Sequence, residues 1–144
     1  PGIRSLSEEW KNEGAFLKSH ILQVLALESA EGFAEFLHER MRIMLGMKDS
    51  ADSPKEDLFR AQYQGARYSF GYPACPRLED QSALWALLEP EKHIGVNLTE
   101  GYMMDPEGSV SAIVIHHPEA KYFNLSQDDT DRLEQTIREN SARR

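Results

Sequence analysis

Arg67-Tyr68-Ser69-Phe70-Gly71-Tyr72-Pro73-Ala74-Cys75-Pro76 combines a cation, aromatic rings, a glycine, two prolines and the only cysteine of the chain. Gly71 can adopt backbone conformations that are closed to other residues, and it allows another group to approach the main chain closely. Pro73 and Pro76 fix their own φ and favour extended geometry in the residues before them, so we expect a rigid loop. Such a loop would present unpaired backbone groups beside a cation and flat rings, which suits a ligand with a carboxylate and a ring. Composition alone leaves a purely structural turn equally open.

The bulk composition describes one ordinary globular domain. The chain has 144 residues, of which 40% are hydrophobic and 28% are charged, which suffices for a substantial core. Its net charge of −8 argues against a nucleic-acid partner, because binding to phosphates needs clustered cations. The single cysteine cannot form an internal disulfide, and we find neither a membrane-length apolar run nor a secretory signal. The chain begins at Pro1 rather than at methionine, which indicates a fragment or a processed chain.

The strongest helical pattern runs from about Ala15 to Leu45 and predicts one long helix, or two helices joined near Gly32. Gly46 suits the position just after a helix end. Upstream of this helix, residues 1–14 are polar and predict at most a short capped turn. Four glutamates recur three or four residues apart on one side of the helix, and we interpret them as a solvated face: Glu28, Glu31, Glu35 and Glu39.

The remainder alternates between short helices and short strands. A capped helix is predicted from Ser53 to about Tyr63, another follows Glu79 or Asp80 and is closed by Pro90, and a last one starts at Ser126. The predicted strands span 94–98, 110–116 and 121–125, and the second of these is the clearest because β-branched residues dominate it. We find no internal repeat.

The usual catalytic and metal-binding patterns do not occur in this sequence. His116 and His117 are adjacent at the end of a predicted strand, where neighbours would point to opposite faces, and no histidine spacing is typical of zinc. Cys75 has no identifiable base beside it, so a buried structural thiol is favoured over a nucleophile. The sequence therefore predicts no catalytic residue and no metal site in this chain.

Several collinear segments, together with Arg67-x-x-x-Gly71-Tyr72-Pro73-Ala74-Cys75-Pro76, resemble the activation domain of cobalamin-dependent methionine synthase. The other matching segments are residues 30–40, 63–65, 87–92, 98–100 and 117–123. The resemblance implies an α+β fold in which a long helix and shorter helices pack on a curved, mainly antiparallel sheet. It covers most of the chain, so we expect 1–144 to be a single domain, a fragment of such an activation domain with its family-like core at about 15–125.

The resemblance also implies a function, which is the binding of S-adenosylmethionine as methyl donor for the reductive methylation of cob(II)alamin. By that resemblance Arg67 binds the ligand carboxylate, Glu31 lies near the sulfonium, and main-chain groups of the loop hold the adenosyl part. The S-adenosylmethionine-binding residues expected in this way are Glu31, Arg67, Ser69, Gly71, Tyr72, Ala74, Cys75, Tyr122 and Phe123. Two features depart from the family pattern. Leu78 stands where many relatives have a histidine, and a ligand-binding aspartate of the family lies upstream of the matched part.

The implied setting is methionine biosynthesis in the cytoplasm, as part of a 5-methyltetrahydrofolate-homocysteine methyltransferase whose complete active site this chain does not contain. Cobalamin would be bound mainly by another domain, and zinc would occur only in other parts of the full enzyme. The implied partners are the cobalamin-binding domain and flavodoxin or a diflavin reductase as electron donor, with no nucleic acid and no membrane. The alternative is a non-catalytic docking module for a cobalamin-binding or flavodoxin-type electron-transfer partner.

Overall fold

The architecture begins with two helices that pack against each other. The structure is a computed structural model, and it describes residues 2–47, 56–57, 60–123 and 125–142. Helix α1 spans Gly2–Asn12 and helix α2 spans Phe16–Met44. None of the helices in these ranges combines the length and the apolar character that a membrane crossing needs.

Helix α1 corrects the expectation of only a short turn at the start of the chain. It is held to α2 by buried hydroxyl groups: the Oγ atoms of Ser7 and Ser19 lie 2.8 Å apart, and Gln23 Nε2 donates to Ser7 Oγ at 2.6 Å. Serines at a helix interface give no apolar pattern, which is why the polar composition of this segment misled the prediction. Because buried hydroxyls need partners, this small network fixes how α1 lies on α2.

Helix α2 is continuous through Gly32, so the prediction of one long helix is confirmed. Beyond the neighbouring backbone of its own helix, a Cβ at Gly32 would meet nothing within 4 Å, so no close packing requires glycine at this position. The helix ends as predicted, with Gly46 in the left-handed region at φ +80°. The helix predicted from Ser53 lies mostly outside the described residues, although Glu56 and Asp57 are helical.

The central sheet pairs the Arg67 segment with the clearest predicted strand. Strand β1 spans Ala66–Ser69 and pairs antiparallel with the strand Ala112–Ile115, which places Arg67 opposite Val114. The first part of the expected loop is therefore a strand. Gly65 precedes it at φ +92°, and a Cβ there would meet the Ile115 carbonyl oxygen at 2.9 Å, so only glycine fits this entry to the sheet.

Between the two strands of this sheet, the chain forms a series of short helices and strands. A 3₁₀ turn at Leu78–Asp80 leads into α3 (Gln81–Leu88), and Pro90 starts α4 (Pro90–Ile94) rather than only closing the helix before it. Strands β2 (Asn97–Leu98) and β3 (Met104–Asp105) form a second antiparallel pair. The strand Ala112–Ile115 is therefore β4. The strand predicted over 94–98 is thus shorter than expected, because Ile94 belongs to α4.

Side chains of helix α3 form hydrogen bonds with residues before, between and after strands β2 and β3. The buried Gln81 side chain donates to the Tyr102 carbonyl at 2.8 Å and accepts a hydrogen bond from Ser111. Trp85 Nε1 donates to the Val96 carbonyl at 3.1 Å. These bonds pin the turn that follows the Arg67 segment, and with it the position of that segment.

The end of the chain differs from prediction in one element. Residues 121–123 and 125 form no strand, because Tyr122 and Phe123 pack on Tyr68 instead of joining a ladder. The last helix, α5 (Gln127–Ala142), is confirmed. The Asp129 amide donates to Ser126 Oγ at 3.2 Å, a side-chain cap at the helix start. The α+β class with a long helix and antiparallel strands is likewise confirmed, with the described strands arranged as two two-stranded sheets.

Candidate functional site

Arg67 lies between the central sheet and helix α2, and its side chain is only 15% exposed. Its Nη2 lies 2.7 Å from Glu35 Oε1 and 3.3 Å from Glu31 Oε2, and Nη1 also donates to Glu31 Oε2 at 3.3 Å. Glu31 and Glu35 are four residues apart, so both carboxylates point from the same face of α2. Burial acts to lower the pKa of Arg67, but the hydrogen bond and charge of Glu35, together with Glu31, outweigh it and raise that pKa.

The smaller of two adjoining cavities collects much of the predicted site. It has a volume of about 230 Å³ and is lined by Glu31, Arg67, Ser69, Tyr72 and Tyr122. Every one of these residues is among those that the resemblance implies. The geometry therefore brings together a guanidinium, a carboxylate, a hydroxyl and two phenol rings, the groups that a charged ligand with a flat ring would contact.

A larger cavity of about 420 Å³ adjoins it and shares Arg67 and Tyr122 with it. Its wall carries two further cations, Arg60 and Lys121, and the carboxylate of Glu35. The sequence analysis assigned none of these three to the site. The remaining lining residues are Ala61, Tyr63, Gly65, Ala66, Pro118 and Ala120.

The turn from Gly71 to Cys75 pairs part of its backbone with itself, so the expectation of unpaired backbone groups is corrected for the amides of Gly71 and Cys75. The Gly71 amide donates to the Cys75 carbonyl and the Cys75 amide donates to the Tyr72 carbonyl, both at 2.8 Å. The Leu125 amide donates to the Pro73 carbonyl at 3.1 Å and so joins the turn to the segment after Tyr122. Gly71, Ala74, Cys75 and Phe123 do not line either cavity.

Tyr68 organises the aromatic side of the site, although the sequence analysis gave it no role. It is buried, and its hydroxyl donates to the Lys121 carbonyl at 2.8 Å. The ring of Tyr122 stacks at 6.2 Å between centroids and that of Phe123 tilts at 5.6 Å. Strand alternation between Arg67 and Ser69 was the signal that could have placed Tyr68 on the buried face.

The partly buried Tyr63 contacts Glu35, and the sequence analysis gave this tyrosine no role in the site. Tyr63 donates its hydroxyl to Glu35 Oε2 at 3.3 Å. The imidazole of His38 meets the Tyr63 ring edge-on at 5.2 Å, and the Arg42 guanidinium lies 3.8 Å from the ring centroid. No local pattern reveals these contacts, because Tyr63 is far from α2 in sequence.

Cys75 has the properties of a structural thiol. It is partly buried, and burial raises the pKa of its thiol, with the negative charge of Asp80 adding to the effect. A thiol with a raised pKa is a poor nucleophile at neutral pH. Within the described ranges, no group of three or more histidine, cysteine, aspartate or glutamate side chains is arranged to hold a metal ion.

The fold and this site define an α+β domain of the reactivation type. The chain superposes on a crystal structure of the MetH reactivation domain bound to AdoHcy with a TM-score of 0.82 and 35% sequence identity, over 96% of this chain and 43% of that chain. The family model for the activation domain of vitamin B12 dependent methionine synthase matches residues 1–141. The chain therefore belongs to this family of activation domains.

Two curated relatives agree with this assignment. The chain is 48% identical over 107 residues to the methionine synthase of Mycobacterium tuberculosis and 45% identical over 107 residues to that of Mycobacterium leprae. Each match covers 70% of this chain and 9% of the relative. The chain thus corresponds to a small part of those enzymes.

Proposed function

We propose that this domain binds S-adenosylmethionine as the methyl donor for reductive methylation of cob(II)alamin in a cobalamin-dependent methionine synthase. The observation that carries the proposal is the smaller cavity, in which Glu31 and Arg67 face a common space with Tyr72 and Tyr122. The solved relative of the same fold binds AdoHcy, the product that remains when S-adenosylmethionine loses its methyl group.

The charges of the cavity fit the two ends of this ligand. Arg67 offers a planar fork of donors that matches a carboxylate. Glu31 is 47% exposed, so its carboxylate can face a sulfonium without being buried unpaired. The rings of Tyr72 and Tyr122 are 56% exposed each and can stack on an adenine.

The chain's own contribution is to bind and orient the donor, which is how proximity lowers the barrier to group transfer. Cobalamin, held mainly by another domain, supplies the chemistry of accepting one electron and one methyl group. The electron would come from flavodoxin or a diflavin reductase. The cobalamin-binding domain of the enzyme is accordingly the proposed partner of this face.

Calorimetric titration of the chain with S-adenosylmethionine tests the proposal, with S-adenosylhomocysteine as the comparison that lacks the positive sulfur. We expect saturable binding of both, with tighter binding of the sulfonium because Glu31 faces it. Circular dichroism would establish that the titrated chain is folded. Failure of a folded chain to bind either compound would contradict the proposal.

A second candidate is a docking module that recognises a cobalamin-binding or electron-transfer protein without binding the nucleoside. It is favoured by neighbouring apolar side chains that α2 leaves open to solvent: Phe33 is 59%, Phe36 46% and Leu37 45% exposed. Exposed apolar surface of this kind marks interaction sites. Capture of a cobalamin-binding domain that is equally strong with and without S-adenosylmethionine, together with no direct nucleoside binding, would favour this candidate.

A further inference from the structure

Tyr63 is held rigidly against helix α2, outside the predicted set of ligand-binding residues. The His38 ring, which is 1% exposed, meets it edge-on at 5.2 Å, and the Arg42 guanidinium covers its face at 3.8 Å. Contacts on an edge and on a face leave the phenol ring little freedom to rotate. The position of its hydroxyl is therefore set by α2.

The two oxygens of the Glu35 carboxylate have different partners, and the Tyr63 hydroxyl is one of them. Tyr63 donates to Oε2 of Glu35 at 3.3 Å, while Oε1 of the same carboxylate lies 2.7 Å from Arg67 Nη2. Glu35 therefore binds the guanidinium through one oxygen and one nitrogen. A carboxylate released from Tyr63 could instead turn and bind the guanidinium through both oxygens, the geometry that arginine favours.

We propose that Tyr63 is a positioning residue for ligand binding: by holding one oxygen of Glu35, it confines that carboxylate to Nη2 of Arg67, so that a ligand carboxylate need displace only the 3.3 Å contacts of Glu31 from the guanidinium. The inference rests on the proposed function, because the ligand carboxylate is that of S-adenosylmethionine. Glu35 binds the guanidinium through Nη2, and Tyr63 prevents Glu35 from binding a second nitrogen of the guanidinium as well. Tyr63 and Glu35 line the larger cavity, and through Arg67 they affect a ligand in the smaller one.

The protonation state of the phenol is consistent with this role. Burial raises the pKa of Tyr63, and the neighbouring charge of Glu35 raises it further, against opposing effects of Arg42 and Arg67. The hydroxyl thus remains a donor throughout the neutral range. Since a hydroxyl can donate to only one of the two oxygens, the division of the carboxylate persists under those conditions.

The variant Tyr63→Phe tests the inference, because it keeps the ring and its contacts with His38 and Arg42 and removes only the hydroxyl. We expect the affinity for S-adenosylhomocysteine to fall about three- to tenfold, the usual effect of one hydrogen bond. Affinity for 5′-methylthioadenosine, which lacks the amino-acid carboxylate, should change by less than about twofold. A general loosening of the fold would instead weaken both ligands equally.

Tyr102→Phe is the matched control, since Tyr102 lies between β2 and β3 and lines neither cavity; it should change neither affinity. A Tyr63→Phe chain that binds both ligands as before, or loses both alike, would overturn the inference while leaving the proposed function intact. Absence of S-adenosylhomocysteine binding by the unaltered chain would overturn the proposed function itself. In that case a double-mutant cycle, measured by unfolding without ligand, still tests whether Tyr63 holds Glu35. If the effects of Tyr63→Phe and Glu35→Ala on the free energy of unfolding are additive in the double variant, the two residues are not coupled and the inference is refuted.

Discussion

Nη2 of Arg67 lies 2.7 Å from Oε1 of Glu35, and the same nitrogen lies 3.3 Å from Oε2 of Glu31. One guanidinium from the sheet therefore faces two carboxylates from consecutive turns of α2. Both carboxylates are about half exposed, at 47% for Glu31 and 49% for Glu35, so the pairs add little to stability. Their effect is local: the surplus negative charge favours a cationic group beside the arginine.

Replacement of Arg67 should weaken ligand binding far more than it weakens the fold. Arg67→Ala removes the proposed charge-assisted contact to the ligand carboxylate, and we expect S-adenosylhomocysteine affinity to fall about 10- to 100-fold. The affinity of Arg67→Lys should lie between those of the unaltered chain and of Arg67→Ala, because lysine keeps the positive charge but lacks the planar pair of donors. Calorimetry measures both, with Arg132→Ala on the exposed surface of α5 as the control. Unchanged affinity in Arg67→Ala would show that another group binds the carboxylate.

Two glycines should respond in opposite directions to alanine. Gly71→Ala places a Cβ 2.9 Å from Leu78 Cδ2 at φ +83°, and we expect a loss of roughly 1–2 kcal/mol in the free energy of unfolding. Gly32→Ala lies in mid-helix with open space around it, and should gain up to about 1 kcal/mol. Urea unfolding compares them. Equal effects of the two substitutions would contradict a left-handed backbone at Gly71 that only glycine adopts without strain.

The buried histidine should make stability depend on pH. Burial lowers the pKa of His38 from 6.5 to about 4, with Arg42, Arg67 and His116 also lowering it and Glu35 opposing them. Between those values the unfolded chain binds a proton that the folded chain does not. Stability therefore falls as pH drops from about 6.5 towards 4, by up to about 3 kcal/mol from this group.

Urea unfolding of the unaltered chain and of His38→Gln across pH 4–7 measures this contribution. The variant should show a shallower loss of stability on acidification, because its side chain does not titrate. His20→Gln, at an exposed position on α2, should retain the slope of the unaltered chain. If His38→Gln retained the full slope as well, His38 would not be the responsible group.

Tyr68 should support the site through the segment that carries Tyr122 and Phe123. Tyr68→Phe removes the hydrogen bond to the Lys121 carbonyl and should cost about 1 kcal/mol in the free energy of unfolding. Because the lost bond also holds Lys121, the residue directly before Tyr122, S-adenosylhomocysteine affinity should fall as well. Denaturant unfolding and calorimetry give the two values. A variant with both unchanged would show that this hydroxyl is dispensable.

Local sequence patterns predict the helices and strands in which residues of one type recur at the spacing of that element. The apolar spacing of α2 and the β-branched run at β4 both gave elements close to those observed. Helix α1 escaped prediction because its contacts with α2 use Ser7 rather than an apolar stripe. Strand β1 escaped it because its partner is β4, more than forty residues away, and such pairing leaves no local trace.

The candidate site divides in the same way. The resemblance, through the motif around Arg67 and the segments that carry Glu31 and Tyr122, named all five residues that line the smaller cavity. It gave no role to Glu35, which the helical pattern placed on a solvated face and which the structure joins to Arg67. Which of several carboxylates on α2 meets the arginine depends on how the helix packs on the sheet. That packing is a tertiary property, and no period in the sequence encodes it.

Arg67 and Tyr122 each belong to both cavities, so a ligand in either space has the same two side chains to contact. Any molecule that enters the larger cavity and draws on Arg67 changes the affinity of the smaller one. Thermodynamic reciprocity then requires the ligand in the smaller cavity to change the affinity of the larger by the same factor. Two shared side chains thus make the pair of cavities a linked binding system.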